Sequence, residues 1–248
     1  MTVALAPRHT SRRTVDELER IAADGIAELG SGTDHEADAQ AALAWVARTF
    51  DPGAVAVASS MANTVLPHLV SRSIPDVDVL FLDTGYHFIE TLATRDEAQR
   101  QLDIRVVDVR PELSVAEQDA AYGAELFSRD PERCCAMRKV EPLHGALAGY
   151  EVWISGVRRE ESATRAFAPL VTFDHKNGLV KVNPLVAWTS DDLYGYAAVH
   201  GVPMNLLLSA GYPSIGCEPC TKPVADGEDP RSGRWAGTGK VECGIHVA

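Results

Sequence analysis

The sequence is short of positive charge. It has 23 lysine and arginine residues against 35 aspartate and glutamate residues, which gives a formal net charge of -12 at pH 7. A field of that sign repels phosphate polymers, so we do not expect nucleic acid as a partner. A small anionic ligand is still compatible with the chain where cations gather, although scattered surface charge is the simpler explanation for any one cation. Those near the motifs described below are Arg138, Lys139, Arg158, Arg159, Arg231, Arg234 and Lys240.

Long hydrophobic runs are also missing. Residues 1–13 contain three arginines and no continuous apolar stretch of the length that a signal peptide or a membrane span requires. We therefore expect a cytosolic (cytoplasmic) protein with no membrane partner. The sequence has no internal repeat and no low-complexity tract, and 46% hydrophobic content in 248 residues suffices for one large buried core.

Cysteine is scarce and odd in number, since the chain has five. An odd count leaves at least one thiol unpaired in any disulfide scheme, and a reducing cytosol favours metal-bound or catalytic cysteines over disulfides. Four of the five form two pairs, the adjacent Cys134 and Cys135 and the motif Cys217-x-x-Cys220. Cys243 is left over on a glycine-rich tail, where its thiol is free to act as a nucleophile.

The two cysteine pairs indicate a metal centre with soft sulfur ligands. A Cys-x-x-Cys motif alone is shared by zinc sites, iron-sulfur sites and dithiol redox centres. The adjacent pair narrows the choice, because consecutive helix residues project at least about a quarter turn apart. That spacing suits neighbouring irons of a 4Fe-4S cluster better than two corners around one tetrahedral ion. We predict a 4Fe-4S cluster, with structural zinc and inert core cysteines or disulfides as the alternatives.

Short apolar runs alternate with segments of helical pattern along most of the chain. Thr14 and Asp34 are suited to cap the first two helices. The predicted strands cover residues 54–58, 77–82, 104–109 and 152–155. Helices are predicted over residues 14–27, 34–50, 88–102, 114–122 and 190–200, one more ends near residue 72, and another opens at residue 130 and runs past residue 139. This alternation predicts an α/β fold with a mostly parallel sheet, helices on both faces and ligands at the carboxyl ends of the strands.

Several of these motifs together resemble one family. Over most of its length the chain is similar to the assimilatory adenylyl-sulfate (APS) reductases, the cluster-bearing branch of the phosphoadenylyl-sulfate (PAPS) reductase family. The resemblance rests on the two cysteine pairs, Lys139 and residues 81–87 (FLDTGYH), 156–159, 211–220, 229–235 and 242–246 (ECGIH). It implies the adenine-nucleotide α-hydrolase type of α/β fold, a 4Fe-4S cluster on the two cysteine pairs, and Cys243 as the catalytic nucleophile.

The activity that the resemblance implies is the reduction of adenylyl sulfate to sulfite and AMP, with thioredoxin as electron donor, in sulfate assimilation and cysteine biosynthesis. The Cys243 thiolate would attack sulfur and expel AMP, leaving an S-sulfocysteine that thioredoxin cleaves. Cations would offset the repulsion between anions and stabilise the departing phosphate. By resemblance the substrate-binding residues are Lys139, Arg231, Arg234 and His246 as cations, Ser59, Thr84 and Gly156 as neighbours of adenosine or ribose, and Arg165 as a phosphate contact.

The resemblance also implies a division of the chain into two parts. Residues 1–222 are expected to form the nucleotide-binding α/β domain with the cluster site, and residues 223–248 a mobile carboxy-terminal segment that carries Cys243. Within the second part, residues 223–239 are rich in glycine and proline. That composition is consistent with a lid that becomes ordered on substrate.

The loop at residues 59–64 (SSMANT) stands where relatives that adenylate their substrates have a serine- and glycine-rich pyrophosphate loop. Here glycine is missing and Asn63 replaces an acidic residue common in the family, so we do not expect release of pyrophosphate from ATP. The loop and the acidic charge argue against a tRNA sulfur-transfer or adenylating enzyme of the same fold. Reduction of PAPS is the nearer alternative, but the PAPS-specific branch lacks both cysteine pairs. A nucleotide sensor without catalysis is a third alternative.

Overall fold

The computed structural model describes residues 12–245, and a single six-stranded sheet lies at its centre. The strands are β1 Val55–Ala58, β2 Val77–Leu82, β3 Ile104–Val109, β4 Val152–Ser155, β5 Val171–Asp174 and β6 Leu179–Val182. Their order is β3-β2-β1-β4-β6-β5, and every neighbouring pair is parallel except β5 with β6. The predicted α/β fold with a mostly parallel sheet is confirmed, and the four predicted strands lie within one residue of their expected bounds.

Helices flank this sheet. In the described region they are α1 Val15–Leu29, α2 His35–Thr49, α3 Val65–Ser71, α4 Ile89–Gln101, α5 Val115–Tyr122, α6 Leu126–Arg129, α7 Pro131–Cys135, α8 Glu141–Leu147 and α9 Ser190–His200. The predicted caps are present: the Thr14 hydroxyl accepts from the backbone of Glu17, and Asp34 accepts from the backbone of Ala37. No helix between residues 12 and 245 is both long enough and apolar enough to cross a membrane.

The sequence pattern does not predict the hairpin of β5 and β6. Each strand has four residues, too few for a clear alternation of apolar and polar side chains. Gly178, with φ of 66°, closes the turn, and its backbone nitrogen donates to the Asp174 carbonyl at 2.7 Å. Parallel pairing of β6 with β4, in which Val180 lies opposite Val152, then joins the hairpin to the sheet. Tertiary pairing therefore stabilises strands that the local pattern specifies weakly.

The helix predicted from residue 130 to beyond residue 139 is interrupted. α7 ends at Cys135, and a π-type turn at Ala136–Val140 separates it from α8. Pro142 supplies a physical reason, because its nitrogen has no hydrogen to donate to the carbonyl of Arg138 four residues earlier. Lys139 also lies in this wider turn, directly after the adjacent cysteines.

Candidate active site

The four paired cysteines lie around one cavity. Cys134 and Cys135 end α7, while Cys217 and Cys220 lie at a single 3-10 turn, Glu218–Cys220. The rest of the wall is formed by Tyr86, Phe127, Pro131, Arg138, Lys139 and Trp235. All five cysteines fall within the described region, and each is a free thiol. The structure thus brings together four thiols from two distant parts of the sequence.

Burial and mutual repulsion govern the thiols of this cavity. Burial, followed by the neighbouring sulfurs, raises the pKa of Cys134 to about 12. The same causes raise the pKa of Cys220 to about 11. Burial alone would also raise the pKa of Cys217, but the Lys139 ammonium and the Thr84 hydroxyl, 3.3 Å from the sulfur, lower it. The cavity therefore concentrates sulfur ligands beside one cation.

The two cysteine pairs line the same cavity. Among residues 12–245, no three side chains of His, Cys, Asp or Glu are placed to hold a single metal ion.

Two neighbouring cations of the π-type turn have different surroundings. Arg138 is buried, and its Nε donates to the backbone oxygen of Thr84 at 2.5 Å, so it holds the segment after β2. Lys139 lies beside the sulfur of Cys217. Burial works against the charge of Lys139, but the sulfurs of Cys217 and Cys243 outweigh it and raise the pKa of the ammonium. Lys139 is thus a cation between the cysteine cavity and the carboxy-terminal thiol.

Glycines make room for Arg234 in the irregular tail. Its Nη1 donates to the Ser214 hydroxyl and to a backbone carbonyl, both at 3.3 Å. A Cβ on Gly216 would lie 2.2 Å from Nη2 of this guanidinium. A Cβ on Gly233 would lie 2.2 Å from the carbonyl oxygen of Lys222. The backbone nitrogen of Lys222 donates to the carbonyl oxygen of Gly233 at 2.9 Å, so the two residues lie against each other. Glycine at both positions therefore allows the tail to fold against the cysteine motif.

Cys243 is half-buried beside these cations. Its sulfur is close enough to Lys139 to raise the pKa of that ammonium. Burial lowers the pKa of the Arg234 guanidinium, and the nearby sulfur of Cys243 acts in the opposite direction. Gly244 follows with φ of 81°, and Ile245 packs against the core. The structure therefore brings the unpaired cysteine to two of the cations expected around it.

Two further expected cations, Arg165 and Arg231, face a carboxylate. Arg165 donates to Glu242 through Nε at 2.9 Å and Nη2 at 3.0 Å, and Arg231 donates to it through Nη2 at 3.2 Å. The third nitrogen of Arg165, Nη1, pairs with Glu161. Contact of Arg165 with a ligand phosphate stays a prediction. Glu242 is not among the predicted site residues, although an acidic residue beside a predicted nucleophile and among predicted cations was a signal for it.

The remaining predicted contacts lie at one edge of the sheet. Ser59, Thr84 and Gly156 follow β1, β2 and β4, which are neighbours whose carboxyl ends meet at that edge. The Thr84 hydroxyl contacts the sulfur of Cys217 and so joins the edge to the cysteine cavity. Contacts of these residues with a nucleotide stay predictions, and His246 lies outside the described residues.

Asn63, in the loop at residues 59–64, has a structural role. Its side-chain oxygen accepts from the backbone nitrogen of Val65 at 3.2 Å, at the start of α3. The Thr64 side chain makes no such cap, so the amide supplies a partner for a donor at the helix terminus. The backbone of Asn63 also pairs with Met204. The loop at residues 59–64 is therefore tied to the protein on both sides of this residue.

Known proteins match the chain over nearly its whole length. Residues 53–223 match the family model of the phosphoadenosine phosphosulfate reductase domain. The adenosine 5'-phosphosulfate reductase of Rhodococcus opacus is 50% identical over 96% of this chain and 98% of its own length. The adenosine 5'-phosphosulfate reductase of Mycolicibacterium smegmatis is 50% identical over 95% of this chain and 97% of its own length.

Solved structures agree with the fold. The phosphoadenylyl-sulfate reductase of Candida auris superposes with a TM-score of 0.63 at 24% identity, covering 87% of this chain and 98% of that one. The FMN adenylyltransferase of Candida glabrata superposes with a TM-score of 0.55 at 10% identity, covering 87% and 75%. Identities this low bear on the fold alone, and they agree with the α/β fold that the sequence predicts. The family model and the relatives at half identity together show that the chain belongs to the phosphoadenosine phosphosulfate reductase family.

Proposed function

We propose that this protein reduces adenylyl sulfate to sulfite and AMP in the cytosol, with electrons from thioredoxin, as a step of sulfate assimilation. The observation that carries the proposal is the meeting of Cys243 with Lys139 and Arg234 beside a cavity of four cysteines. The choice of substrate is supported by relatives at half identity, which are named for adenosine 5'-phosphosulfate.

In the first step the thiolate of Cys243 attacks the sulfur of the sulfate group. An S–S bond forms, the bond from that sulfur to the bridging phosphate oxygen breaks, and its electron pair leaves with AMP. Nucleophile and substrate are both anions, so fixed positive charge lowers the barrier. Lys139, Arg231 and Arg234 supply that charge, and His246 is proposed as a further donor to the departing phosphate.

In the second step a thioredoxin thiolate attacks the sulfur of Cys243 and releases sulfite. The second thioredoxin thiol then breaks the mixed disulfide, so thioredoxin is oxidised by two electrons and Cys243 returns to a thiol. A half-buried sulfur must become accessible for this exchange, which is why we propose that residues 223–248 move relative to residues 1–222. In the middle of this segment the backbone nitrogen of Trp235 donates to the Cys220 carbonyl at 2.9 Å, a bond that links the segment to residues 1–222 in this state.

We propose that Cys134, Cys135, Cys217 and Cys220 hold a 4Fe-4S cluster. The donor set fits, since four free thiols line one cavity and those of Cys134 and Cys220 have pKa values of about 12 and 11. Such thiols ionise readily only when a metal supplies the opposing charge. When bound, the cluster would link α7 to the Cys-x-x-Cys turn and so hold Lys139, which lies beside the sulfur of Cys217, in place. Thiol exchange with thioredoxin supplies both electrons of the reaction.

The nucleotide is proposed to bind at the carboxyl edge of the sheet. Ser59, Thr84 and Gly156 are assigned to the adenosine and ribose, because they end three adjacent parallel strands, where ligands of such sheets bind. The Thr84 hydroxyl lies 3.3 Å from the sulfur of Cys217, so the nucleotide and the cysteine cavity would share a wall.

Intact-mass analysis tests the proposal. Anaerobically purified protein is mixed with adenylyl sulfate in the absence of thioredoxin, and we expect the addition of one SO₃ group, mapped to Cys243 and removed by thioredoxin. No adduct despite verified nucleotide binding, or an adduct that persists in Cys243→Ser, would contradict the chemistry. If the protein turned over PAPS as fast as adenylyl sulfate, the assignment of adenylyl sulfate as the preferred substrate would be wrong. A colourless, zinc-loaded preparation, in place of about four irons and four sulfides per chain, would contradict the cluster.

A further inference from the structure

Glu242 lies at the junction of two loops that are distant in sequence. Its Oε1 accepts from Nε of Arg165 at 2.9 Å, from the hydroxyl of Thr164 at 3.2 Å and from the hydroxyl of Ser162 at 3.4 Å. Its Oε2 accepts from Nη2 of Arg165 at 3.0 Å and from Nη2 of Arg231 at 3.2 Å. We call these five residues the Glu242 clamp.

The clamp is shielded from solvent. The side chains of Arg165 and Glu242 are each 13% exposed, and that of Arg231 is 14% exposed, so solvent weakens their attraction less than that of a surface ion pair. Burial alone would raise the pKa of Glu242, but the hydrogen bonds and charges of the two arginines lower it. Bidentate bonds between a guanidinium and a carboxylate are among the strong interactions of proteins. The clamp can therefore hold a segment that has neither helix nor strand.

Cys243 follows the clamp directly in sequence. Nη2 of Arg231 also donates to the carbonyl of Val241 at 3.1 Å, which fixes the backbone just before the clamped carboxylate. On the other side, Ile245 packs against the core. The thiol is thus held between a polar anchor and an apolar one. Holding a nucleophile close to its target removes most of the entropic cost of the encounter.

We propose that Glu242 is the positioning residue of Cys243, and that Arg165 acts through Glu242 without contacting the substrate. This inference rests on the proposed function, in which Cys243 is the nucleophile. The hydrogen bonds of Arg165 support its indirect role, because each of its three side-chain nitrogens already donates to a carboxylate. Nε and Nη2 donate to Glu242, and Nη1 donates to Glu161. Arg165 therefore belongs with the tail that carries the thiol.

Hydrogen exchange tests the clamp without any reaction. Glu242→Gln keeps the shape of the side chain and removes its charge, and Glu228→Gln is the matched control because it removes the same charge from an exposed position of the same segment. With full-length, cluster-loaded protein and no substrate, we expect amides in a peptide covering residues 236–248 to exchange about tenfold faster in Glu242→Gln. Glu228→Gln should exchange like the wild type. Equal exchange in all three proteins would overturn the clamp.

Single-turnover kinetics test the positioning role. Formation of the adduct on Cys243 should be about tenfold slower in Glu242→Gln, while affinity for AMP stays within about twofold. A parallel loss of AMP affinity would place Glu242 in the nucleotide pocket and overturn the inference. The double variant Arg165→Gln with Glu242→Gln should be no slower than the slower single variant, and multiplied effects would show direct substrate contact by Arg165. If wild-type protein forms no adduct, the proposed function fails, while hydrogen exchange still decides the clamp.

Discussion

Replacing Gly216 by alanine isolates the contribution of Arg234. The added Cβ would lie 2.2 Å from Nη2 and 2.4 Å from Cζ of Arg234, and restoring an ordinary contact of 3.4 Å requires a shift of at least about 1.2 Å. Gly216 has no left-handed φ, so its backbone accepts alanine and the methyl group is the source of strain. The end of a flexible side chain yields before backbone does, so the guanidinium is the group that moves.

The size of the effect follows from this displacement. Once both Nη1 bonds of 3.3 Å are lost, a retreat of Arg234 from about 4 Å to about 6 Å from an anion weakens their attraction by about 1.4 kcal/mol at an effective dielectric constant near 20. That loss corresponds to a roughly tenfold fall in kcat/KM if the charge acts in the transition state. Stability should change by less than about 1 kcal/mol, because the two hydrogen bonds that Arg234 loses are long, at 3.3 Å each.

Kinetics and thermal melts together check this prediction. Gly216→Ala should lower kcat/KM for adenylyl sulfate about tenfold and shift the melting temperature by less than about 4 °C. Gly149→Ala is the control, since its Cβ would make one ordinary contact, at 3.8 Å, far from the cysteines. Wild-type activity in Gly216→Ala would refute the role given to Arg234. A large fall in melting temperature would show that the glycine serves the fold instead.

Three further perturbations test the metal centre and the fold. Cys217→Ser should bring iron from about four per chain towards zero and lower the melting temperature by more than about 5 °C, and iron retained in full contradicts the ligand assignment. Burial lowers the pKa of Lys181 to about 8 from its ordinary 10.5, so the native state binds fewer protons than the unfolded chain and wild-type stability rises between these pH values. Lys181→Met should therefore raise the free energy of unfolding by about 1 kcal/mol near pH 7, as measured by urea titration. The gain should vanish above pH 10.5, and a gain that does not change with pH would mean that the lysine charge is not its cause. Gly25→Ala should lower the free energy of unfolding by about 2 kcal/mol, because its Cβ would lie 2.5 Å from the Trp45 ring. Gly145→Ala is the control, because its Cβ would have no atom within 4 Å, and it should not lower the free energy of unfolding. Equal losses in the two variants would show that contact with the Trp45 ring is not the cause.

Cations were the part of the site that sequence position predicted least well. Arg158 and Arg159 follow β4 at the ligand edge, as expected, yet both hold loops: Arg158 donates to the carbonyl of Trp188 at 3.3 Å, and Arg159 to that of Ala168 at 3.0 Å. Arg138 likewise donates to backbone oxygen. A long flexible side chain can reach acceptors in any direction, so its role depends on which loops pack nearby.

The cysteines were the part that sequence predicted best, since their grouping depends on chemistry that few other residues share. Adjacent thiols, a Cys-x-x-Cys motif and one leftover thiol indicate a metal centre and a separate nucleophile before any contact is known. The cavity places the four paired thiols together as the grouping requires. The sequence carried a signal for Glu242 but none for its pairing with Arg165, because the two residues are nearly 80 positions apart.

The sequence by itself determined the order of the elements, the bounds of the main strands and the kind of ligand that the cysteines offer. These features depend on short-range physics: apolar periodicity, helix caps and the chemistry of single side chains. Only the tertiary structure decided that β6 pairs with β4, that Lys139 and not Arg138 faces the sulfur of Cys217, and that two arginines hold the carboxylate beside Cys243. Such pairings depend on which distant segments the core brings into contact, and no local pattern encodes that distance.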